Sequence, residues 1–303
     1  MVGGAESIHK PVLLAEALNY LQPNSDGIYV DGTLGLGGHT EAILRASHPS
    51  GKVVAFDWDE EAISLARKRL EPFGDRLAIV RKNFADIAEG LAELDIDTID
   101  GLLIDIGLSS LQLDKGGRGF SFLKDEPLDM RMDNRRKTTA AKLVAGCTEE
   151  ELADILFYYG EEKQARRIAA AIVDARKKET IATSGQLTEI IARAIPRRFH
   201  PKKIHVATKS FQGLRIAVNT ELENLAAVID DAAAFLKPGA RFCVISFHSL
   251  EDRIVKKKFK EHKELEIITG KPIIASEDEV GRNPRARSAK LRVAERRCLR
   301  GGM

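Results

Sequence analysis

The chain has little of what several protein classes require. Its 303 residues include three cysteines, Cys147, Cys243 and Cys298. They lie far apart with no CxxC pair, so they supply neither a disulfide framework nor a zinc site. No apolar run approaches the ~20 residues that cross a bilayer, and Ile168 to Val173, ended by charge on both sides, is among the longest. The N-terminus, MVGGAESIHKPVLL, lacks the apolar core of a signal peptide. Ten prolines, with 44% hydrophobic and 30% charged residues, exclude a disordered or fibrous chain. These absences predict a folded protein of the reducing cytoplasm, without membrane span or metal, and of about two domains by length.

What is present is a change of periodicity along the chain. Up to about residue 110, short apolar runs alternate with amphipathic segments, the pattern of βαβ units around a parallel sheet. Strands are predicted at 27–31, 52–57, 77–80 and 99–105. A helix capped by Asp59, with Ile63, Ala66 and Leu70 on one face, lies between the second and third. From 111 to 210 the strand pattern stops. Thr148 and Glu151 have capping-box spacing ahead of a helix ended by Gly160, and helical patterns follow at 165–175 and 187–195. Another helix through Leu222, Leu225, Ile229, Ala233 and Leu236 is stopped by Pro238 and Gly239. The buried-strand pattern then resumes at 241–247, with weaker strands at 265–269 and 289–293 as an antiparallel edge pair. The expectation is one α/β domain, 1–110 with 211–303, interrupted by a helical insertion at 111–210.

The loop DGTLGLGGHT, residues 31–40, joins the first strand to a helix, where glycines let the backbone approach a ligand. Asp57 ends the second strand at the spacing where a carboxylate meets ribose hydroxyls, which together predicts an adenosine-containing cofactor. Asp31 before the glycines would repel phosphates, no Walker lysine follows, and Thr40 replaces the third glycine of the dinucleotide fingerprint. S-adenosyl-L-methionine, cationic and free of phosphate, fits better than NAD. The plain alternative is a tight turn, with Asp57 as the next helix's cap.

The fourth strand ends in DIGLSS and the fifth in SFHSLEDR, which puts polar groups where ligands of open parallel sheets sit. Asp105 could accept a hydrogen bond from an amine, with a helix cap the alternative; Ser109 and His248 are the further catalytic candidates, with a satisfied loop histidine the alternative for His248. No cysteine follows a proline, which disfavours the covalent route to carbon-5 methylation of pyrimidines.

A net charge of +2 hides two basic stretches. Residues 282–300 carry Arg282, Arg285, Arg287, Lys290, Arg292, Arg296, Arg297 and Arg300 against Glu295. A second holds Arg193, Arg197, Arg198, Lys202, Lys203, Lys209 and Arg215. Both suggest a polyanionic substrate, against the alternative of a solvated surface balanced by the acids of 149–154. Phe199, Phe211 and Phe247 are candidate stacking rings for single-stranded RNA, with core packing the more economical assignment for each.

Beyond these signals, DGTLGLGGHT, LLIDIGLSS (102–110), RGFSF (118–122), PLDMRMD (127–133), SFHSLEDRIVK (246–256) and NPRARSAKLRVAER (283–296) closely resemble the RsmH family, formerly MraW. These are bacterial small-subunit rRNA cytosine-N4 methyltransferases, and the match covers nearly the whole chain. The resemblance implies a class I S-adenosyl-L-methionine-dependent methyltransferase: a Rossmann-like, mostly parallel α/β sheet with an inserted all-helical domain that helps grip RNA. It implies cofactor contacts at Gly37, Gly38, His39, Asp57, Phe84, Asp105 and Gln112. The substrate implied is a cytidine of the decoding region of 16S rRNA in the small ribosomal subunit, with Lys209, Arg215, Arg285 and Arg287 as expected RNA contacts and a homodimer left open. Leu111 departs from the family's SSPQLD and HVATKSFQ (205–212) from its HPATRTFQ, which bears on Gln112 and Lys209. Methylation of a protein or small molecule, and a non-catalytic ribosome-assembly factor, are the rival functions.

Overall fold

The computed structural model describes residues 11–107 and 116–298. The chain divides into two units, Met1–Gly107 with Leu222–Met303, and Leu108–Glu221.

The first unit is built on one eight-stranded sheet. Its strands are β1 (Ile28–Asp31), β2 (Lys52–Phe56), β3 (Leu77–Val80), β4 (Ile99–Asp105), β5 (Leu236–Ser246), β6 (Leu265–Ile267), β7 (Ile273–Ile274) and β8 (Lys290–Arg296). The order is β3-β2-β1-β4-β5-β8-β6, with β7 also on β8. The first five strands are parallel, and β8 pairs antiparallel with β5 and β6. This is the Rossmann-like, mostly parallel arrangement expected, with its switch of strand order between β1 and β4.

Alternation along the strands feeds two cores. Val30, Val54, Leu102, Ile104, Phe242 and Val244 point to one face, covered by α4 (Ile87–Ala92), α10 (Glu221–Ala232) and α11 (Ser249–Glu261). Tyr29, Val53, Leu103, Cys243 and Ile245 point to the other, under α1 (Leu14–Leu21), α2 (Gly38–Ala46) and α3 (Glu60–Leu70). Burial on both faces explains why these strands read as nearly continuous apolar runs. Each such side chain contributes about 1.5–3 kcal/mol.

Asp59 caps α3, its carboxylate accepting from Glu61 N–H at 3.1 Å, as the sequence predicts. β5 begins before the predicted 241: Ile99 pairs with Leu236 and Gly101 with Arg241, so Pro238 and Gly239 sit in a bulge rather than ending an element. A bulge tolerates proline because no ladder N–H is needed there.

The second unit contains α5 (Ala140–Gly146), α6 (Glu149–Asp154), α7 (Ala165–Arg176), α8 (Ser184–Ala194) and α9 (Thr208–Asn219). Thr148 and Glu151 form the predicted capping box, and α6 runs on into a π turn, Ile155–Tyr159. The boundary expected at 210/211 falls inside α9, which belongs wholly to this unit. The reason is backbone contact: a side chain at Gly213 would lie 2.9 Å from the Ile155 carbonyl oxygen, and one at Gly160 2.4 Å from that of Lys209.

Candidate active site

The carboxyl ends of β1, β2 and β4 meet at the switch point, and three carboxylates stand there. Asp31 is fully buried, its Oδ1 accepting from Thr33 N–H at 3.0 Å and its Oδ2 from the Thr40 hydroxyl at 2.6 Å. Thr40 therefore locks the loop onto its own strand. Asp31 is an internal brace of the loop, and its charge acts on the other two carboxylates.

Asp57 is not the next helix's cap. Its Oδ2 accepts from Gly35 N–H at 2.8 Å and its Oδ1 from Asp59 N–H at 2.9 Å, so it ties the glycine loop to β2. Burial pushes its carboxyl up to about 7, opposed by those two donors and reinforced by the Asp59 and Asp31 carboxylates. The turn also depends on Gly37, at φ 81°, where a side chain would lie 2.9 Å from Leu70 Cδ1. Gly38 opens α2 against Pro11. Phe84 follows β3 in a short 3₁₀ turn and packs on the sheet core, its Cβ 3.2 Å from where a side chain at Gly32 would start.

Asp105 ends β4. Its backbone N–H donates to Thr33 Oγ1 at 2.7 Å, a positioning contact that no sequence signal announced. Oδ2 lies 3.7 Å from His39 Nδ1, beyond hydrogen-bond length, and the buried Oδ1 has no hydrogen-bond partner among the described residues. Burial pushes this carboxyl up to about 6, with His39 opposing and Asp31 and Glu251 adding to the rise. His39 is held from behind, its Nε2 donating to the Val12 carbonyl at 3.0 Å. The next residue, Leu13, donates its N–H to Glu279 Oε1 at 2.7 Å. Orphaned buried acceptors are costly, and a cationic donor is the group that would satisfy this one.

His248 has another task. It is the N-cap of α11, its Nδ1 accepting from Glu251 N–H at 3.4 Å, while Glu251 Oε2 accepts from the N–H groups of Phe247 and His248. His248 Nε2 and Glu251 Oε1 lie 2.8 Å apart. Nδ1 is engaged in a capping box, for which the H-S-L-E spacing of 248–251 was the signal, while the buried Nε2 makes no hydrogen bond among the described residues. Phe247 packs on the core with its ring against Gly107. Cys243 is no nucleophile: it is buried in β5, its thiol pushed up to about 12. Ser109, Gln112 and Leu111 lie outside the described residues.

The basic residues separate into paired and unpaired. Arg215, expected at RNA, makes a two-pronged bond to Glu221, 2.8 Å on each arm. Lys209 Nζ donates to the Glu161 carbonyl at 2.8 Å. In the C-terminal stretch, Arg292 and Lys290 pair with Asp252 and Arg296 with Glu264. Arg285 is half-buried, Arg287 exposed, and Arg300 outside the described residues. Of the candidate rings, Phe211 is buried, whereas Phe199 is 48% exposed, against the expectation of a core position.

No helix among the described residues is long and apolar enough to cross a membrane. Residues 6–297 match the model of the MraW methylase family. A ribosomal RNA small subunit methyltransferase H of Desulfotalea psychrophila is 65% identical over 96% of this chain and 99% of its own length. One of Geobacter sulfurreducens is 50% identical over 95% and 98%. Among solved structures, an S-adenosylmethionine-dependent O-methyltransferase from Thermotoga maritima aligns at 13% identity and a TM-score of 0.44, over 98% of this chain and 70% of that one.

Proposed function

The chain belongs to the MraW methylase family, and from that premise we propose that it transfers a methyl group from S-adenosyl-L-methionine to the exocyclic N4 amine of a cytidine in the decoding region of 16S rRNA. The observation that carries this is the buried Oδ1 of Asp105 at the switch point, without a hydrogen-bond partner among the described residues and with the Asp31 and Glu251 carboxylates acting on it against His39. Such a pocket repels a dinucleotide and attracts a sulfonium bearing an ammonium. The names of the relatives supply the rRNA of the small subunit.

Gly37, Gly38 and His39 would line the cofactor at the start of α2. Asp57 would take its ribose hydroxyls on the lone pairs left free by Gly35 and Asp59. Phe84 would lie beside the adenine. When bound, S-adenosylmethionine supplies a methyl group made electrophilic by its sulfonium.

Asp105 Oδ1 offers its lone pair to an N–H, of the cofactor's ammonium or of the acceptor amine, and its ionisation near pH 6 leaves it charged at neutrality. Cytosine N4 is a poor nucleophile because its lone pair is delocalised into the ring, so fixing its position is the main service the pocket performs. A methylated amine is a strong acid, and a neighbouring carboxylate or water takes its proton without a tuned base.

Nucleoside mass spectrometry of 16S rRNA from a deletion strain tests the proposal. N4-methylcytidine is expected to vanish and to return when this chain is supplied. Its persistence, or methyl transfer only to protein, would overturn the proposal.

A further inference from the structure

We infer that residues 197–205 of the helical unit form a docking surface for a single-stranded stretch of the RNA substrate; this rests on the rRNA function proposed above. From Ile190 to Thr220 the sequence contains no aspartate or glutamate. Lys290, Arg292 and Arg296 of the other basic stretch pair with Asp252 and Glu264, whereas Arg197, Arg198, Lys202 and Lys203 pair with no described acid.

The backbone of the strip is fixed. Pro196 follows α8 and leads into a 3₁₀ turn, Arg197–Phe199. Phe199 N–H donates to the Pro196 carbonyl at 2.8 Å, His200 N–H to that of Arg197 at 3.1 Å, and the His200 ring Nε2 to that of Ile195 at 2.9 Å. The side chains this backbone presents are unspent. Arg197, Lys202 and Lys203 are exposed and make no ion pair or hydrogen bond with any described residue. Arg198 touches only a ring, its Cζ 4.8 Å from the centroid of Phe199. At the far end, the exposed His205 ring stacks on Phe122 at 4.5 Å and 13° between planes, and Phe122 is braced edge-on by the buried Phe211 at 5.6 Å.

Fixed backbone, free cations and outward rings answer one ligand chemistry. The cations would replace counterions along a phosphate chain, and the flat rings of Phe199 and His205 would take base faces. A duplex hides its base faces, and an acidic protein surface has none, so the rings select a single strand.

The test uses the full chain, a single-stranded oligonucleotide of decoding-region sequence, and small subunits as methyl acceptor. In the variant R197A/R198A/K202A/K203A, the slope of log affinity against log salt should fall by up to about 3, at roughly 0.7 per lost phosphate contact. KM for the subunit should rise by about tenfold or more, while kcat, cofactor affinity and Tm stay at wild-type values. Phe199→Ala should weaken oligonucleotide binding about tenfold without changing the salt slope, and Phe199→Trp should restore it.

Wild-type KM and salt slope in the quadruple variant, with wild-type methylation intact, would overturn the docking surface alone. A charge effect without any Phe199 effect would overturn the single-strand assignment. Failure of the wild-type chain to bind or methylate rRNA would remove the function proposed above, and this surface with it.

Discussion

At the switch point of the sheet-bearing unit, the buried Oδ1 of Asp105 has no partner among the described residues; along residues 197–203 of the helical unit, exposed cations have none. Other charges are paired closely, as Arg215 with Glu221, Arg292 with Asp252 and Arg296 with Glu264 show. Unpaired charge costs stability, more so when buried, so where intramolecular pairing stops, something from outside is expected to complete it. The sign of the unpaired group then gives the sign of the ligand. Negative at the switch point calls for a cationic cofactor, and positive on the strip for a polyanion. Raw counts of lysine and arginine do not make this distinction.

The comparison breaks first if a paired arginine behaves like an unpaired one. Arg215→Ala strands Glu221 and should cost about 3–5 kcal/mol in denaturant unfolding, while R215A/E221A should recover most of it. A stable Arg215→Ala variant with weakened RNA binding would erase the line between paired and unpaired groups. On the carboxylate side, Asp105→Asn should lower methyl transfer by about a hundredfold or more with the fold intact, since Asp105 Oδ1 has no structural partner to lose. Near-normal turnover by Asp105→Asn or Asp105→Ala would sink its role.

Gly37→Ala should cost about 1–3 kcal/mol from its φ of 81° alone, read as a lower Tm together with weaker cofactor binding.

The pH dependence sharpens the same contrast. Asp57 and Asp105 are pushed up to about 7 and about 6, so cofactor affinity should fall as pH drops from 8 to 5.5. The cofactor-free protein should behave oppositely. With folded pKa values above the unfolded ones, the native state binds more protons between about pH 4 and 7 and loses stability as pH rises through that window. Thermal unfolding against pH, with Asp105→Asn flattening the limb near 6, checks the sign. The smallest effect belongs to Arg287→Ala, which should move stability by less than about 0.5 kcal/mol because the side chain is exposed and touches nothing described.

The fold was largely legible because its signals are local. Four of the five parallel strands lie within a residue or two of the apolar runs that predict them, and Asp59 and Thr148 cap the helices their spacing announces. The bulge in β5 was missed because Pro238 and Gly239 normally end an element, and only the register against β4 shows the strand continuing. At the site, the residue types were legible and their tasks were not. His248 and Asp105 both stand at strand ends, yet one caps a helix while the other keeps a free oxygen. Pairing between distant positions, such as Arg292 with Asp252, leaves no periodic trace, so the C-terminal stretch looked as available as residues 197–205.

The support behind His39 has a consequence for how the protein is made. The carbonyl that fixes this ring belongs to Val12, and the adjoining Leu13 is anchored by Glu279, at the opposite end of the chain. During synthesis the glycine loop leaves the ribosome well before this anchor, which is not available until residue 279 has been translated. Nascent chains should therefore gain a firm hold on the cofactor only after residue 279 has emerged, and a chain truncated before Glu279 would carry every residue of the cofactor pocket without the clasp that steadies it.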